Sequence, residues 1–282
     1  MCNCPKTSRK NLQSRIQMKN LSYLYYKRYF DEIPFSYLLE SESGIPESAI
    51  KTIRKRNKEL LNEPLFVIPR NGLENSCINA KVAYPGLITG IGLTHEVGIE
   101  GEFKLGMHFD YTYGMPVIYG SSIKGLLRSA FPDEKDSEEV SECKKRQIHE
   151  YLGKNFERID VNKLRDILFE GKSDNMIPIS HRDIFFDAAI IQSEENNNRI
   201  LESDSITPHG NNPLKNPNPI TFLKIAAGAT LEFRFKFVES KIDNVTLTVN
   251  IKNHLFRQIL EDFGAGAKTN VGYGQFSEVK CS

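Results

Sequence analysis

A pair of predicted strands near the C-terminal end constrains the fold more than any other feature of the sequence. Residues 220–238, ITFLKIAAGATLEFRFKFV, contain two strand-like runs separated by a glycine turn. In the second run apolar residues alternate with charged ones, which predicts a strand with one buried face. The predicted buried positions are Leu231, Phe233, Phe235 and Phe237, and the outward positions are Glu232, Arg234 and Lys236.

The elements around this hairpin predict an α+β protein. In chain order they run strand, helix, strands, helix and strand, which is the split βαβ arrangement of a ferredoxin-like (RRM-like) fold. Gly264 is expected to end the last helix, because glycine readily adopts the left-handed conformation found there. The other predicted strands cover 86–95, 182–192 and 271–279, and the predicted helices of this unit cover 121–132 and 250–264.

Two further helical regions are predicted outside that unit. Residues 1–80 are expected to form a basic, helical N-terminal extension, and residues 81–282 the ferredoxin-like domain. A helical insertion is expected to interrupt the domain at about 132–180. The helices predicted in these regions cover 12–30, 46–62, 137–152 and 160–170.

Overall charge gives no signal for a nucleic-acid partner. The 282 residues include 37 Lys and Arg and 36 Asp and Glu, so the net charge is +1. Any such binding would therefore require a local patch. Residues 1–30 contain basic residues and no acid, and residues 51–58, KTIRKRNK, form a second basic run. Each run fits a phosphate-contacting helix face or an ordinary solvated one.

Cysteine usage and hydropathy point to a cytoplasmic protein. The five cysteines are scattered, which is typical of reduced thiols and not of a disulfide framework. The N-terminal residues MCNCPKTSRK lack the apolar core of a signal peptide, and no apolar run is long enough to span a bilayer. We expect no metal site and no cofactor.

The glycine-rich stretch 264–276, GAGAKTNVGYGQF, is not a nucleotide-binding loop. A Walker A loop requires glycine before its Lys-Thr pair and connects a strand to a helix, whereas here Ala267 precedes the pair and the stretch leaves a helix. As a binding loop, it would offer Lys268, Thr269 and Asn270 to phosphates and Tyr273 for stacking, while Gly266 would let another backbone come close. The alternative is a helix end followed by a tight turn.

Three segments, taken together, resemble the RAMP superfamily of CRISPR-associated RNA-binding proteins. Residues 119–131, YGSSIKGLLRSAF, are similar to the family's helix opening G-S-S-x-K-G-x-x-R, with Tyr119 in place of the usual preceding proline. FFDAAI (185–190) and the glycine-rich stretch 264–276 follow in the family's order. Residues 206–228 narrow the resemblance to the sixth-subunit family of the Cmr complex, the type III-B CRISPR effector.

The resemblance implies an RNA-binding structural subunit in antiviral defence. It would contact guide RNA near its 3′ part, take part in binding target RNA, and dock on neighbouring RAMP subunits. The expected groove lies between the 121–131 helix and the glycine-rich loop, where the helix start and its cations would hold RNA phosphates. The residues expected to contribute from the helix are Ser121 and Ser122, also predicted as its caps, with Lys124 and Arg128; His209 would contribute from the proline-rich loop 207–219.

Two other functions fit the same residues. RAMP relatives include endoribonucleases, and Asp110 occupies a place similar to that of a catalytic aspartate in the backbone subunits of type III complexes. His95, His108 and His209 are further candidates for acid–base chemistry. The resemblance to the sixth subunit instead implies a non-catalytic role, so we expect no enzyme activity. A RAMP subunit of a related type III complex is the other alternative.

Overall fold

A six-stranded antiparallel sheet organises the protein, whose structure is a computed structural model. It describes residues 19–33, 44–95, 97–173, 175–194, 198–207, 219–242 and 245–281. The strand order is β10-β1-β7-β4-β2, and β3 also pairs with β7. Helix and antiparallel sheet together confirm the predicted α+β class. The helices are α1 (Leu21–Tyr26), α2 (Glu47–Asn62), α3 (Gly120–Ser129), α4 (Glu138–Leu152), α5 (Val161–Arg165) and α6 (Val249–Phe263).

The strands are β1 (Ser76–Val82), β2 (Val117–Ile118), β3 (Ile184–Phe185), β4 (Ala188–Gln192), β5 (Leu201–Ile206), β6 (Ile220–Ile225), β7 (Thr230–Lys236), β8 (Ser240–Ile242), β9 (Val245–Leu247) and β10 (Phe276–Cys281). Two separate hairpins flank the main sheet. They consist of β5 with β6 and of β8 with β9.

Strand β7 lies in the middle of the sheet and is buried on both faces. Phe233 and Phe235 point into the core, where the Phe235 ring lies 5.9 Å from that of Phe256 in α6. Glu232 is also buried, and its Oε1 accepts from Nε of Arg70 at 3.1 Å. Arg234 is buried as well and donates to the Ile68 carbonyl at 2.9 Å. The prediction of a solvent-facing charged side was therefore wrong at these two positions, because residues 68–70 lie over them.

The first strand of the sheet is not where the sequence pattern placed it. The predicted strand over 86–95 is absent among these residues, which make only isolated bridges such as Leu87 to Ile225. Strand β1 takes its place and pairs with both β10 and β7. The first strand of the sheet therefore starts at Ser76, inside the predicted N-terminal extension 1–80.

Two other strand predictions need smaller corrections. The predicted strand 182–192 is divided into β3 and β4, with Phe186 and Asp187 between them. The predicted strand 271–279 begins only at Phe276, because residues 269–271 form a 3-10 turn. Helix α6 agrees with the prediction: Gly264 follows it with a φ of 67°, and its amide donates to the Leu260 carbonyl at 3.0 Å.

The described N-terminal residues belong to the same hydrophobic core as the sheet. Tyr26 donates from its hydroxyl to the Met107 carbonyl at 2.7 Å, and the Tyr29 hydroxyl accepts from the Phe103 amide at 2.9 Å. These tyrosines provide hydrogen-bond partners for backbone groups of residues 103–107, which lie outside the sheet. Of the predicted helix 12–30, residues 12–18 lie outside the described part of the chain, and the rest forms α1 and a 3-10 turn, Arg28–Phe30.

The helical insertion is present. Its two predicted helices correspond to α4 and α5, and a π-helical turn, Asp166–Glu170, continues α5. None of the helices in the described ranges combines the length and apolar character needed to cross a bilayer. Within the described chain, Cys77, Cys143 and Cys281 take part in no disulfide.

Candidate nucleic-acid interface

One groove lies between helix α3 and the glycine-rich loop that follows α6. Its volume is about 390 Å³. The order of the predicted elements indicates this juxtaposition, and in the structure the two segments lie together. The groove is lined by Thr89, Gly90, His108, Ile118, Ser122, Gly125, Leu126, Ser129, Ala265, Gly266 and Ala267.

Helix α3 begins one residue earlier than the serines predicted to cap it. Tyr119 occupies the N-cap position without a side-chain capping bond, so that Ser121 and Ser122 lie exposed in the first turn. The amide of Gly120 instead donates to Oδ1 of Asp187 at 2.7 Å. The expectation that the serines cap the helix was therefore wrong, and a carboxylate from the β3–β4 connection takes that role.

The glycine-rich loop is fixed to its own chain on both sides. The Ala265 amide donates to the Gly274 carbonyl at 2.8 Å, and the Ala267 amide donates to the Ile88 carbonyl at 2.8 Å. Gly266 has a φ of 86°, and a Cβ built on it would overlap the same Ile88 carbonyl. Within the fold, the close approach that Gly266 permits is thus to the Ile88 carbonyl of this chain.

Tyr273 is not available for stacking on a base. Its side chain is 8% exposed and packs edge-on against Phe222, with ring centroids 6.0 Å apart. Its hydroxyl donates to Oδ2 of Asp204 at 2.9 Å, and that carboxylate also accepts from Nζ of Lys224 at 2.9 Å. Burial, together with the neighbouring Asp204, raises the pKa of Tyr273 to about 12. The ring therefore connects the loop to the β5–β6 hairpin, and the predicted stacking role was wrong.

The predicted cations differ in their surroundings. Arg128 is paired with Asp133, at 3.0 Å from Nη1 to Oδ2, and with Glu170, at 3.1 Å from Nε to Oε1. Its guanidinium fastens α3 to the insertion and is not an open fork for phosphate. Lys124 and Lys268 are half-buried, and neither makes an ion pair with the residues that the structure describes. These two lysines are the predicted cations that remain for a ligand.

The remaining predicted loop contacts follow Lys268 directly. Thr269 and Asn270 lie in the 3-10 turn, and Asn270 is exposed. The Thr269 carbonyl accepts from Nε2 of Gln275 at 3.2 Å, which holds the turn in place. Both residues therefore lie next to the groove on a fixed backbone.

His108 is the ionisable side chain that lines the groove within the described chain. Its Nδ1 lies 2.9 Å from Oγ1 of Thr89, and its ring stacks on Tyr119 with centroids 4.2 Å apart. Burial lowers the pKa of His108, partly opposed by Asp187, so the imidazole is neutral at pH 7. Tyr119 occupies the position of the proline in the family motif, and its ring holds the His108 imidazole by stacking.

Comparison with known proteins identifies the family. The family model of the RAMP superfamily matches residues 79–277. The chain belongs to the RAMP superfamily. This confirms the resemblance drawn from the three sequence segments.

Two solved structures are similar to this RAMP protein. One is a chain in a cryo-EM structure of the type III-B Cmr-beta bound to cognate target RNA, with a TM-score of 0.48 and 17% identity over 92% of this chain and 86% of that one. The other is the crystal structure of Cmr6 from Pyrococcus furiosus, with a TM-score of 0.40 and 20% identity over 74% of this chain and 99% of that one. No curated protein matches the sequence.

The other candidate catalytic residues of the RAMP chain have structural partners. Asp110 accepts from the amides of Thr112 and Tyr113, at 2.9 and 2.6 Å, and so fixes its own turn. His95 stacks on Tyr25 with centroids 4.5 Å apart, and burial lowers its pKa. His209 lies outside the described residues, as does most of the loop 207–219. The described residues contain no cluster of three or more potential metal ligands.

Three residues that shape the groove or its helix, Asp187, Thr89 and Gly90, were not predicted from the sequence. Asp187 belongs to the segment FFDAAI, but nothing in that segment indicates that its carboxylate caps α3. Thr89 and Gly90 lay within a predicted strand, where a loop wall was not expected. Only their proximity to His108 in the folded chain reveals them.

Proposed function

We propose that this RAMP protein is an RNA-binding structural subunit of a type III CRISPR ribonucleoprotein effector, and specifically of a type III-B Cmr complex. It contacts guide RNA near its 3′ part, takes part in binding target RNA, and docks on neighbouring RAMP subunits in the cytoplasm. The observation that carries the proposal is the groove itself. The two segments with the most specific family motifs, α3 and the loop after α6, form its opposite walls.

We interpret the main sheet as a ferredoxin-like split βαβ unit. Strand β1 leads through α3 to β4, and β7 leads through α6 to β10. The spatial order β10-β1-β7-β4 supports this interpretation, because it places the two halves in an interleaved antiparallel sheet. In this arrangement α3 and α6 lie on one face of the main sheet, and the groove is bordered by α3 and by the loop at the end of α6.

Lys124 and Lys268 are the proposed phosphate contacts. They lie next to the groove residues Gly125 and Ala267 in the sequence, on opposite walls. Since the net charge is only +1, such contacts should supply much of the salt-dependent affinity. Ser121, Ser122, Thr269 and Asn270 are proposed as additional polar contacts along the same edges.

The test is RNA binding by fluorescence anisotropy across a salt series. We expect the double variant Lys124→Ala and Lys268→Ala to reduce the slope of log affinity against log salt by about 1.4, the value for two phosphate contacts on a single strand. The double variant Lys154→Ala and Lys172→Ala removes the same charge from exposed positions in the helical insertion, outside both basic runs. Equal losses in both pairs would mean that the charge of the whole protein, and not the groove, attracts RNA.

Assembly is tested separately by co-expression with the other subunits of a Cmr complex. The chain should co-purify with them and with guide RNA, while the isolated chain should bind RNA weakly, since one domain contacts few nucleotides. A free chain that binds guide RNA tightly and forms no complex would argue against the structural role. Assembly only with subunits of another type III complex would identify the related subtype.

An endoribonuclease remains the second candidate, because His108 lies in the groove and is neutral, as a general base must be. The proposed function predicts that purified protein leaves labelled RNA intact, with or without a divalent metal. Cleavage that is lost in His108→Ala would establish the enzyme instead. Cleavage lost only in Asp110→Ala would point to the aspartate despite its role in the turn.

A further inference from the structure

The groove differs in character from the lysines beside it. Its walls consist of small residues, hydroxyls, the apolar side chains of Ile118 and Leu126 and one imidazole whose pKa burial lowers; among the described residues, no lysine, arginine or carboxylate lines it. A phosphate requires cations or several converging amides, which this lining does not supply. An uncharged, flat group fits better, and a volume of about 390 Å³ lies in the range of small-ligand pockets.

Two hydrogen-bonding groups face a ligand of that kind. Because Nδ1 of His108 is occupied by Thr89, the nitrogen left for a ligand is Nε2, and stacking on Tyr119 fixes the ring plane. Across the groove, Gly266 is exposed, and its amide donates to no acceptor in the described chain. A rigid donor and an imidazole edge are suited to the polar edge of a heterocycle.

The α3 wall is open where the ligand would lie flat. A Cβ built on Gly125 meets no atom within 4 Å, although this glycine lies inside a helix where glycine is unfavourable. Nothing in the described fold therefore requires glycine at this position. Its missing side chain leaves space in the groove.

We propose that the groove is a nucleobase subsite, in which one unstacked base of the bound RNA lies against Gly125 with its polar edge towards His108 and Gly266. The phosphates on either side of that nucleotide lie outside the groove, at Lys124 and Lys268. This inference rests on the proposed RNA-binding function. It specifies that the base, and not the phosphate, enters the groove. Recognition through a base contributes affinity beyond that of the backbone.

The test fills the groove without disturbing the fold. Gly125→Leu should place a side chain in the space where the base lies, while Gly125→Ala adds only a methyl group. Cys143→Leu adds the same side chain at an exposed position on α4 without changing the charge and serves as the matched control. The probes are an oligouridylate and an abasic ribose-phosphate oligomer of the same length, titrated against the full chain at low salt. Thermal unfolding of each variant checks the fold.

We expect Gly125→Leu to weaken binding of the oligouridylate about tenfold, because the leucine occupies the space of the base, and to leave binding of the abasic oligomer unchanged. Cys143→Leu should change neither. If Gly125→Leu weakens both probes equally, the backbone occupies the groove and the subsite is disproved.

Unchanged binding of both probes would also disprove the subsite, while the lysine variants could still support RNA binding elsewhere on this surface. If the unmodified chain binds neither probe with a salt dependence, the proposed function itself fails. The two failures are therefore distinguishable.

Discussion

The two walls of the groove both carry glycine, for opposite physical reasons. In the loop after α6, Gly266 has a left-handed φ, and a side chain there would overlap the Ile88 carbonyl. In α3, Gly125 has helical geometry, and a side chain there would meet nothing. The fold requires the first glycine, whereas the second leaves room for something outside the fold. A glycine in a family motif therefore does not by itself indicate a ligand contact.

The largest expected effect comes from Gly266→Val. A β-branched residue is strained at a left-handed φ, and its Cβ would displace the Ile88 carbonyl that anchors the loop. Together these effects should lower the free energy of unfolding by about 3 kcal/mol. Urea denaturation measures the change. A variant with unchanged stability would mean that the loop is loosely attached and that the contact with the Ile88 carbonyl does not require glycine.

A smaller loss is expected when α3 loses its cap. Asp187→Ala leaves the Gly120 amide without its acceptor and should cost about 1–2 kcal/mol of unfolding free energy. Asp187→Asn keeps an acceptor oxygen and should cost less. Ser121→Ala and Ser122→Ala should each stay within about 0.5 kcal/mol of the unmodified protein, because both side chains are exposed. A serine variant as unstable as Asp187→Ala would restore the serines as caps.

The effect expected for the glycine of the α3 wall is smaller than that for Asp187→Ala and has the opposite sign. Gly125→Ala should raise the free energy of unfolding by about 0.8 kcal/mol, because alanine favours the helix and its methyl group meets no neighbour. The same denaturation experiment measures it. A destabilised Gly125→Ala would show that this wall is as tightly packed as the loop, and the contrast between the two glycines would disappear.

Several elements were predictable because their signals are local. Helix α2 and the end of α6 at Gly264 follow from apolar periodicity and from the conformational freedom of glycine. The family resemblance came from short segments in a fixed order. The expectation that α3 and the glycine-rich loop border one groove followed from the predicted order of elements. None of these inferences required knowledge of a distant contact.

Other features depend on partners far away in the sequence. Strand β1, and not the strand-like stretch 86–95, forms part of the sheet. Its polar residues Asn79 and Lys81 weaken the strand pattern in the sequence, yet β1 pairs with a strand on each side. The sequence indicates that Arg128 is available for phosphate, whereas in the folded chain it is paired with Glu170. A sequence pattern does not contain the identity of such partners.

The family, the α+β class and the segments that meet at the groove follow from the amino-acid sequence. Which side chains there remain for a ligand depends on how the chain packs. The Tyr273 hydroxyl is hydrogen-bonded to Asp204, and Arg128 forms ion pairs, so neither is open to a ligand. His108 lines the groove, and Lys124 and Lys268 lie beside it. The physical reason is that burial and pairing depend on the whole packed chain, whereas residue type and spacing depend only on the local sequence.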